Sequence, residues 1–349
     1  MQFISTSTAS FKLADDPIVT EVNETTDNEN LFIVRSANGW LKQASERPIP
    51  KMLFGKFWYE GELCILFADS NLGKSILAVQ IGNCLNSGES MYPFGVEAPK
   101  QPVLYCDFEL TDKQFEARYS DNYTGHYEFN PDFHRAELNP DSELPPGFKD
   151  FDDYLIASLE MAIVRNQAKI VIIDNLTYLR TETEQARDAL PLMKQLKVLK
   201  NKYGLSILAL AHTPKRDLTM QITRNDLQGS KMLMNFCDSA FTIGESSMDK
   251  NLRYLKQIKQ RNTEQIYGTN NVCICTINKP SNFLQYEFVE YGRELDHLKK
   301  ASERLSQDQI QEAVAHRLEG KSLREIGKLM DISFQKVDRL IKVSDPNKA

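Results

Sequence analysis

One stretch of the 349-residue chain restricts its fold more than any other: Ala68-Asp69-Ser70-Asn71-Leu72-Gly73-Lys74-Ser75. Before it runs Gly61-Glu62-Leu63-Cys64-Ile65-Leu66-Phe67, an apolar run of strand length, and after it Ile76-Leu77-Ala78-Val79-Gln80-Ile81-Gly82-Asn83-Cys84-Leu85, apolar at helical spacing. Strand, loop and helix in that order leave a turn of free backbone N–H groups at the positive end of a helix dipole, which is a seat for an anion. The residue types suit a phosphate. Gly73 lets the backbone approach, Lys74 reaches the β- and γ-phosphates, the Ser75 hydroxyl holds Mg²⁺, and Ser70, Asn71 and Leu72 complete the cradle. Ala68 stands where such a loop ordinarily starts with glycine, which is tolerable at φ below zero without a close phosphate contact. The plain alternative is an ordinary βα turn that happens to read Gly-Lys-Ser.

Further apolar runs repeat the pattern. Pro102-Val103-Leu104-Tyr105-Cys106-Asp107-Phe108 predicts a second buried strand, with Glu109 after it and a helix starting at residues 111 to 116. Residues 121 to 150 are dense in Asn, Asp and Pro and read as an extended connection with at most a short strand near Phe133. A helix is expected over 151 to 167, a third strand at Lys169-Ile170-Val171-Ile172-Ile173-Asp174, a helix from about 184 to 203, and a fourth strand ending at His212. Strands alternating with helices imply a parallel sheet with crossovers. Beyond Asp238, runs at 241 to 243, 252 to 259, 272 to 277 and 284 to 289 are joined by short polar turns, which predicts an antiparallel extension of that sheet.

Ligands of open parallel sheets bind at the carboxyl ends of the strands. The polar residues there therefore read as one constellation: Lys74 and Ser75, then Glu109, Asp174 and His212. An apolar strand ending in Asp suits a Mg²⁺-holding carboxylate, Glu109 is then placed to activate water, and His212 to sense the γ-phosphate. Each also has a plain reading, as a turn cap, a first-turn helix acid or a structural histidine. Their joint order along the chain is what argues for a site.

On these residues the chain resembles the RecA/DnaB superfamily of ATPases, in particular the RepA-like branch of hexameric replicative helicases found on plasmids and mobile elements. Val103-Leu104-Tyr105-Cys106-Asp107-Phe108-Glu109-Leu110 is similar to the second strand of DnaB-type helicases, Ile172-Ile173-Asp174-Asn175-Leu176 to their Walker B element, and Ala211-His212-Thr213-Pro214-Lys215 to the RepA-type fourth strand end. Lys259-Gln260-Arg261-Asn262 is similar to their Lys-x-Arg motif. The resemblance covers about residues 50 to 290. It implies ATP and Mg²⁺ as cofactors, Glu109 as catalytic base, and Lys259 with an arginine finger at Arg261 reaching a neighbouring subunit's nucleotide in a ring, expected to be a hexamer. Read alone, Lys259 and Arg261 are equally a solvated basic turn.

Two core segments are candidates for single-stranded DNA: residues 213 to 228, with Lys215, Arg216 and Arg224, and residues 175 to 187, with Tyr178 and Arg180. Contacts of this kind are salt-dependent and indifferent to sequence. The first is equally a mobile surface loop. Residues 306 to 343 predict three helical pieces at 309 to 318, 322 to 330 and 333 to 341, similar to a resolvase- or sigma-like helix-turn-helix with Ile326 and Val337 in its core. Gln335, Lys336, Arg339 and Lys342 then face outward and reach duplex DNA; the alternative is a docking or ring-closing module.

Charge agrees with that division. Lys and Arg total 42 against 48 Asp and Glu, a net −6, so there is no global polyanion signature. Residues 299 to 349 nevertheless carry 11 basic and 8 acidic side chains. The six cysteines lack paired C-x-x-C spacing and read as buried hydrophobes of a reducing compartment. No signal-peptide pattern or apolar run of about 18 residues is found, which predicts a cytoplasmic protein with no membrane partner. The expected organisation is an acidic tail over 1 to 30, with six acids between Asp15 and Asn30, a RecA-like α/β ATPase core over 31 to 298, and an all-α helix-turn-helix unit over 299 to 349. The functional expectation is an oligomeric DNA motor or helicase of a mobile element; the alternative is an ATP-switched DNA-binding regulator or loader that does not unwind.

Overall fold

The computed structural model describes residues 32–176, 189–214, 216–227, 230–299 and 301–344. The expected acidic tail, the candidate DNA segment beyond Leu176, and Lys215 lie outside these residues. The chain divides into two compact units, Met1–Ile49 and Pro50–Ala349. In the first, α1 (Ala37–Ser45) is capped by Ser36, whose hydroxyl accepts from the Gly39 N–H at 3.1 Å. Of the aromatics between residues 31 and 60, Phe32 and Trp40 are exposed, whereas Phe54, Phe57 and Trp58 are buried.

The second unit starts with a short hairpin, β1 (Met52–Phe54) and β2 (Trp58–Tyr59). There follow β3 (Leu63–Ala68), α2 (Lys74–Ser87), β4 (Val103–Asp107), α3 (Asp112–Arg118), β5 (Phe133–Ala136), α4 (Phe151–Arg165), β6 (Ile170–Asp174), α5 (Ala189–Tyr203), β7 (Ser206–His212) and α6 (Ser230–Phe236). Then come β8 (Ser239–Glu245), β9 (Leu252–Lys259), β10 (Val272–Asn278) and β11 (Gln285–Gly292). Among the described residues these strands form a nine-stranded sheet in the order β11-β10-β9-β8-β3-β7-β6-β4-β5. From β8 to β5 all pairings are parallel; β9, β10 and β11 extend the sheet antiparallel. This is a RecA-like phosphate-binding-loop core.

The parallel strands read as continuous apolar runs because both faces are covered. Alternate residues feed two cores. Cys64, Leu66, Ile172 and Leu208 point to one, with α2 and the Phe54, Phe57 and Trp58 rings; Leu63, Ile65, Val171 and Ile207 point to the other, with residues of α4, α5 and α6. Helix α2 comes unusually close to the sheet at Gly82, where a Cβ would stand 2.9 Å from both the Ile172 and Phe133 side chains. The thiols of Cys64, Cys106, Cys237, Cys273 and Cys275 are free and buried, which holds them protonated.

The last three helices, α7 (Ala301–Leu318), α8 (Leu323–Leu329) and α9 (Phe334–Ser344), have a core of their own around Ala313, Ile326, Val337 and Leu340. Ser322 and Glu325 close a capping box at α8, as the sequence pattern predicts. The α8–α9 turn passes so near Gly327 that a Cβ there would meet the Ile332 carbonyl oxygen at 2.8 Å. Gln335, Lys336, Arg339 and Lys342 are exposed on α9.

Candidate active site at the strand tips

Pairing register brings the predicted residues to one edge of the sheet. Ala68 lies opposite His212, and Asp107 opposite Asp174. The loop between β3 and α2 bends back through two left-handed residues, Asn71 at φ 62° and Gly73 at φ 90°. Such alternation turns successive N–H groups toward one concavity. No side chain caps the N-terminus of α2 and no acid occupies its first turn, so its dipole faces the loop uncompensated. Gly73 is required twice over: its φ is left-handed, and a Cβ would stand 2.7 Å from Ile277 Cδ1 and 2.9 Å from the Tyr286 hydroxyl. Ser70 and Asn71 are exposed at the loop's crest, while the Leu72 side chain belongs to the core and offers the loop only its backbone.

Lys74 is buried to 6 % exposure and donates to the Ala68 carbonyl at 3.0 Å and the Asp69 carbonyl at 3.1 Å. Its third contact is His212 Nδ1 at 3.2 Å. An ammonium has only donors, so Nδ1 accepts and the imidazole proton sits on Nε2, which donates to Glu109 Oε1 at 3.2 Å. Asn175 closes the group: its Nδ2 donates to Glu109 Oε1 and lies 3.0 Å from His212 Nε2. The His212 hydrogen bond is the main reason that the Glu109 carboxyl is held below its ordinary pKa, with Lys74 adding to it. Burial lowers the Lys74 pKa, against the opposing charges of Asp174, Glu109 and Asp69.

Asp174 is 1 % exposed. Burial raises its pKa from 3.8 to about 6, while hydrogen bonding from Ser75 and Tyr105 pulls the other way. Tyr105 donates to Oδ2 at 2.7 Å; Oδ1 is buried without a hydrogen-bond partner. An orphaned carboxylate oxygen beside a half-buried serine hydroxyl, at the mouth of an anion-binding loop, fits a hard divalent cation coordinated by oxygen. Ser75 and Asp174 would hold it.

Several contributors were not legible in the sequence as site residues. Asp107 Oδ1 accepts from the N–H groups of Glu109 at 3.2 Å and Leu110 at 3.0 Å, which shapes the turn that carries Glu109. Its Oδ2 accepts from Arg135 Nε at 2.9 Å, and Arg135 also donates to the Leu110 carbonyl at 2.7 Å. Asn175 was part of the Walker B match without a role; its place directly after the strand tip was the available signal.

Lys259 and Arg261 lie elsewhere. Ala240 pairs with both Ile65 and Lys259, which sets Lys259 beside the beginning of β3. Lys259 donates to the carbonyls of Met234 and, at 2.7 Å, Cys237; Arg261 pairs with Asp238 at 3.1 Å. The Asp238 N–H in turn donates to the Leu63 carbonyl, so Arg261 stands about 16 Å along the strand direction from the Ala68 tip. The candidate DNA cations also separate. Arg216 is no free surface cation: its side chain is 6 % exposed and its Nε lies 3.8 Å from Asp69 Oδ2. Arg224 is exposed and lines a cavity of about 580 Å³ with Lys259. The described residues from 216 to 227 thus run from the P-loop edge toward the opposite one.

Among the described residues no helix is long and apolar enough to cross a membrane. A family model described as an AAA domain matches residues 35–217, just over half of the chain. No curated protein matches it. A matched segment that opens before the P-loop and ends just past the His212 strand tip takes in every residue gathered at that edge, and the chain belongs to this AAA domain family of P-loop ATPases.

Proposed function

We propose that the chain is a Mg²⁺-dependent ATPase of the RecA and RepA type that works as a ring, hexameric by the resemblance, and moves along or remodels single-stranded DNA in the replication or transfer of a mobile element. One observation carries the reading: five predicted residues meet at one sheet edge, while Lys259 and Arg261 stand about 10 and 16 Å back along the strands toward the other. A pair so placed cannot serve its own nucleotide. In a head-to-tail ring the far edge of one protomer meets the P-loop edge of the next, which gives Lys259 and Arg261 a use.

The division of labour follows from the contacts. Lys74 sits within reach of the phosphates in the α2 dipole. The cation at Ser75 and Asp174 would neutralise charge on phosphoryl oxygens. Glu109, kept ionised by His212, accepts a proton from the attacking water. His212 bridges Glu109 and Lys74, so a change at the phosphates is felt at the base. Arg261 of a neighbour stabilises the charge of the transferring group.

The test is ATP turnover with and without a single-stranded oligonucleotide, together with a native mass of the assembly. Stimulation by the strand in an assembled ring is expected; a monomer with full turnover, indifferent to DNA, would refute the motor. A second reading, an ATP-switched regulator, is favoured by the exposed Gln335, Lys336, Arg339 and Lys342 on α9. It predicts site-specific duplex binding without strand separation.

A further inference from the structure

Next to the P-loop edge, a cavity of about 210 Å³ opens between the polypeptide after His212, the turn that follows β8 and the segment preceding α7. Its walls carry three cations, Arg216, Lys250 and Lys299, against one carboxylate, Glu245. Arg216 is fixed: its guanidinium donates to the Met220 carbonyl at 3.1 Å, faces Asp69 at 3.8 Å and bonds the Tyr254 hydroxyl. Among the described residues, Lys250 and Lys299 are in no ion pair with a carboxylate within 4.0 Å. The rest of the wall is held by its own bonds. The Ser246 hydroxyl accepts from the Met248 N–H at 3.1 Å and hydrogen-bonds His297 Nδ1 at 2.7 Å, and the Lys299 N–H donates to the Leu218 carbonyl at 3.1 Å.

We infer that this cavity seats one backbone phosphate of single-stranded DNA, a proposal that rests on the DNA-motor reading above and names the contact point. Three features of the cavity select its occupant. The cavity is smaller than the roughly 300 Å³ at which small-molecule sites begin, so it takes a compact anion and not a whole nucleotide. Two lysines without a carboxylate partner, beside an arginine whose charge is shared with Asp69, suit a phosphodiester, whose neutralisation releases counterions. Finally, Met220 and Met248, 62 % and 68 % exposed, lie within two residues of the lining residues Leu218 and Ser247 in the chain. Flexible apolar side chains give splayed bases a sequence-indifferent surface, which free phosphate does not use.

The experiment is fluorescence anisotropy of a labelled oligothymidylate with the full chain and a non-hydrolysable ATP analogue, titrated across about 50 to 200 mM salt. For K250A/K299A, affinity should fall about tenfold or more and the log–log salt slope should shrink by about 0.7, one phosphate's share on a single strand. K250A alone should fall between, K250R/K299R should keep both values, and K100A/K149A, two exposed lysines elsewhere, should bind as wild type. An unchanged melting temperature for K250A/K299A separates lost contact from lost fold. Wild-type affinity and slope in K250A/K299A would overturn the seat while leaving the DNA reading standing. So would equal losses in K250A/K299A and K100A/K149A. Wild-type protein that binds no oligonucleotide, and is stabilised by inorganic phosphate alone, would overturn both.

Discussion

Arg135 grips Asp107 through a 2.9 Å contact from Nε to Oδ2, and the same carboxylate accepts the backbone N–H groups of Glu109 and Leu110 through its other oxygen. The guanidinium on edge strand β5 thereby fixes the turn that carries Glu109, the proposed base. Replacing it with Met should lower kcat by about 10²-fold with KM little changed, the cost of misplacing a base by about 1 Å. Nucleotide affinity by fluorescence and turnover at saturation check the split. An equal rise in KM would mean that the loop itself has moved.

Glu109 is ionised and already hydrogen-bonded to His212 in the folded chain. Glu109→Gln keeps the shape and removes the base, so turnover should drop about 10²- to 10⁴-fold while nucleotide binding survives. Lys74→Ala should lose turnover as well, and bind ATP more weakly, if the ammonium held over the loop belongs to the proposed phosphate seat. Isothermal titration beside steady-state turnover distinguishes the two.

The strand-tip residues were legible because each parallel strand is a covered apolar run closed by a polar residue, as in Ile170 to Asp174 and Ser206 to His212. Arg135 was not. It lies in a connection rich in Asn, Asp and Pro, and its role exists only once β5 pairs with β4 and sets Arg135 beside Tyr105. Arg216 misled in the opposite way, since the charges around it suggest a solvated loop, whereas Asp69 and Tyr254 draw it in. Composition cannot reveal such pairings, because the partners are far apart in sequence. The antiparallel extension was readable from its short polar turns, but the backing of Gly73 by Ile277 and Tyr286 depends on how that extension packs over the loop.

Asp174 predicts a pH dependence whose sign is unusual for an acid. Its carboxyl is raised to about 6 from 3.8, so the folded state binds the proton more tightly than the unfolded chain does. The cation-free protein therefore gains stability from this group as pH falls through 6. The gain is complete below 3.8, and the cost of the buried charge is fully felt above 6. Asp174→Asn removes the charge and still accepts from Tyr105. It should stabilise the cation-free protein at pH 7 by about 3 kcal/mol, an advantage that shrinks toward pH 4, while abolishing turnover. Urea unfolding between pH 5 and 8 in a chelator is the measurement, and parallel curves for the two proteins would count against the raised pKa.

Lys256 and Glu294 form a buried ion pair that also holds the Ile222 backbone, with the ammonium donating to its carbonyl and the carboxylate accepting its N–H, each at 2.7 Å. Lys256→Met leaves a buried carboxylate that still accepts from Ile222 and Tyr254 but has lost its cation. Destabilisation by roughly 3 to 5 kcal/mol is expected, with much of it recovered in Lys256→Met/Glu294→Leu. Chemical denaturation of the two variants decides whether charge or packing holds this loop.

The shared-site reading has a sharper test in mixing. Arg261 is engaged with Asp238 in its own chain, but the pair is half-exposed and worth at most about 1 kcal/mol, so a neighbouring phosphate can outcompete it. Arg261→Ala should bind nucleotide and not turn it over. A Lys74→Ala protomer lacks the loop cation but keeps its Arg261, whereas an Arg261→Ala protomer keeps the loop. Where the second presents its P-loop to the first, every group of the site is present. Random reassembly of equal amounts creates that arrangement at about a quarter of the interfaces of a head-to-tail ring, so the mixture of two inactive proteins should regain up to that share of wild-type turnover. Activity retained by Arg261→Ala alone, or a mixture as inactive as its parts under conditions where subunits exchange, would show that each chain completes its own site.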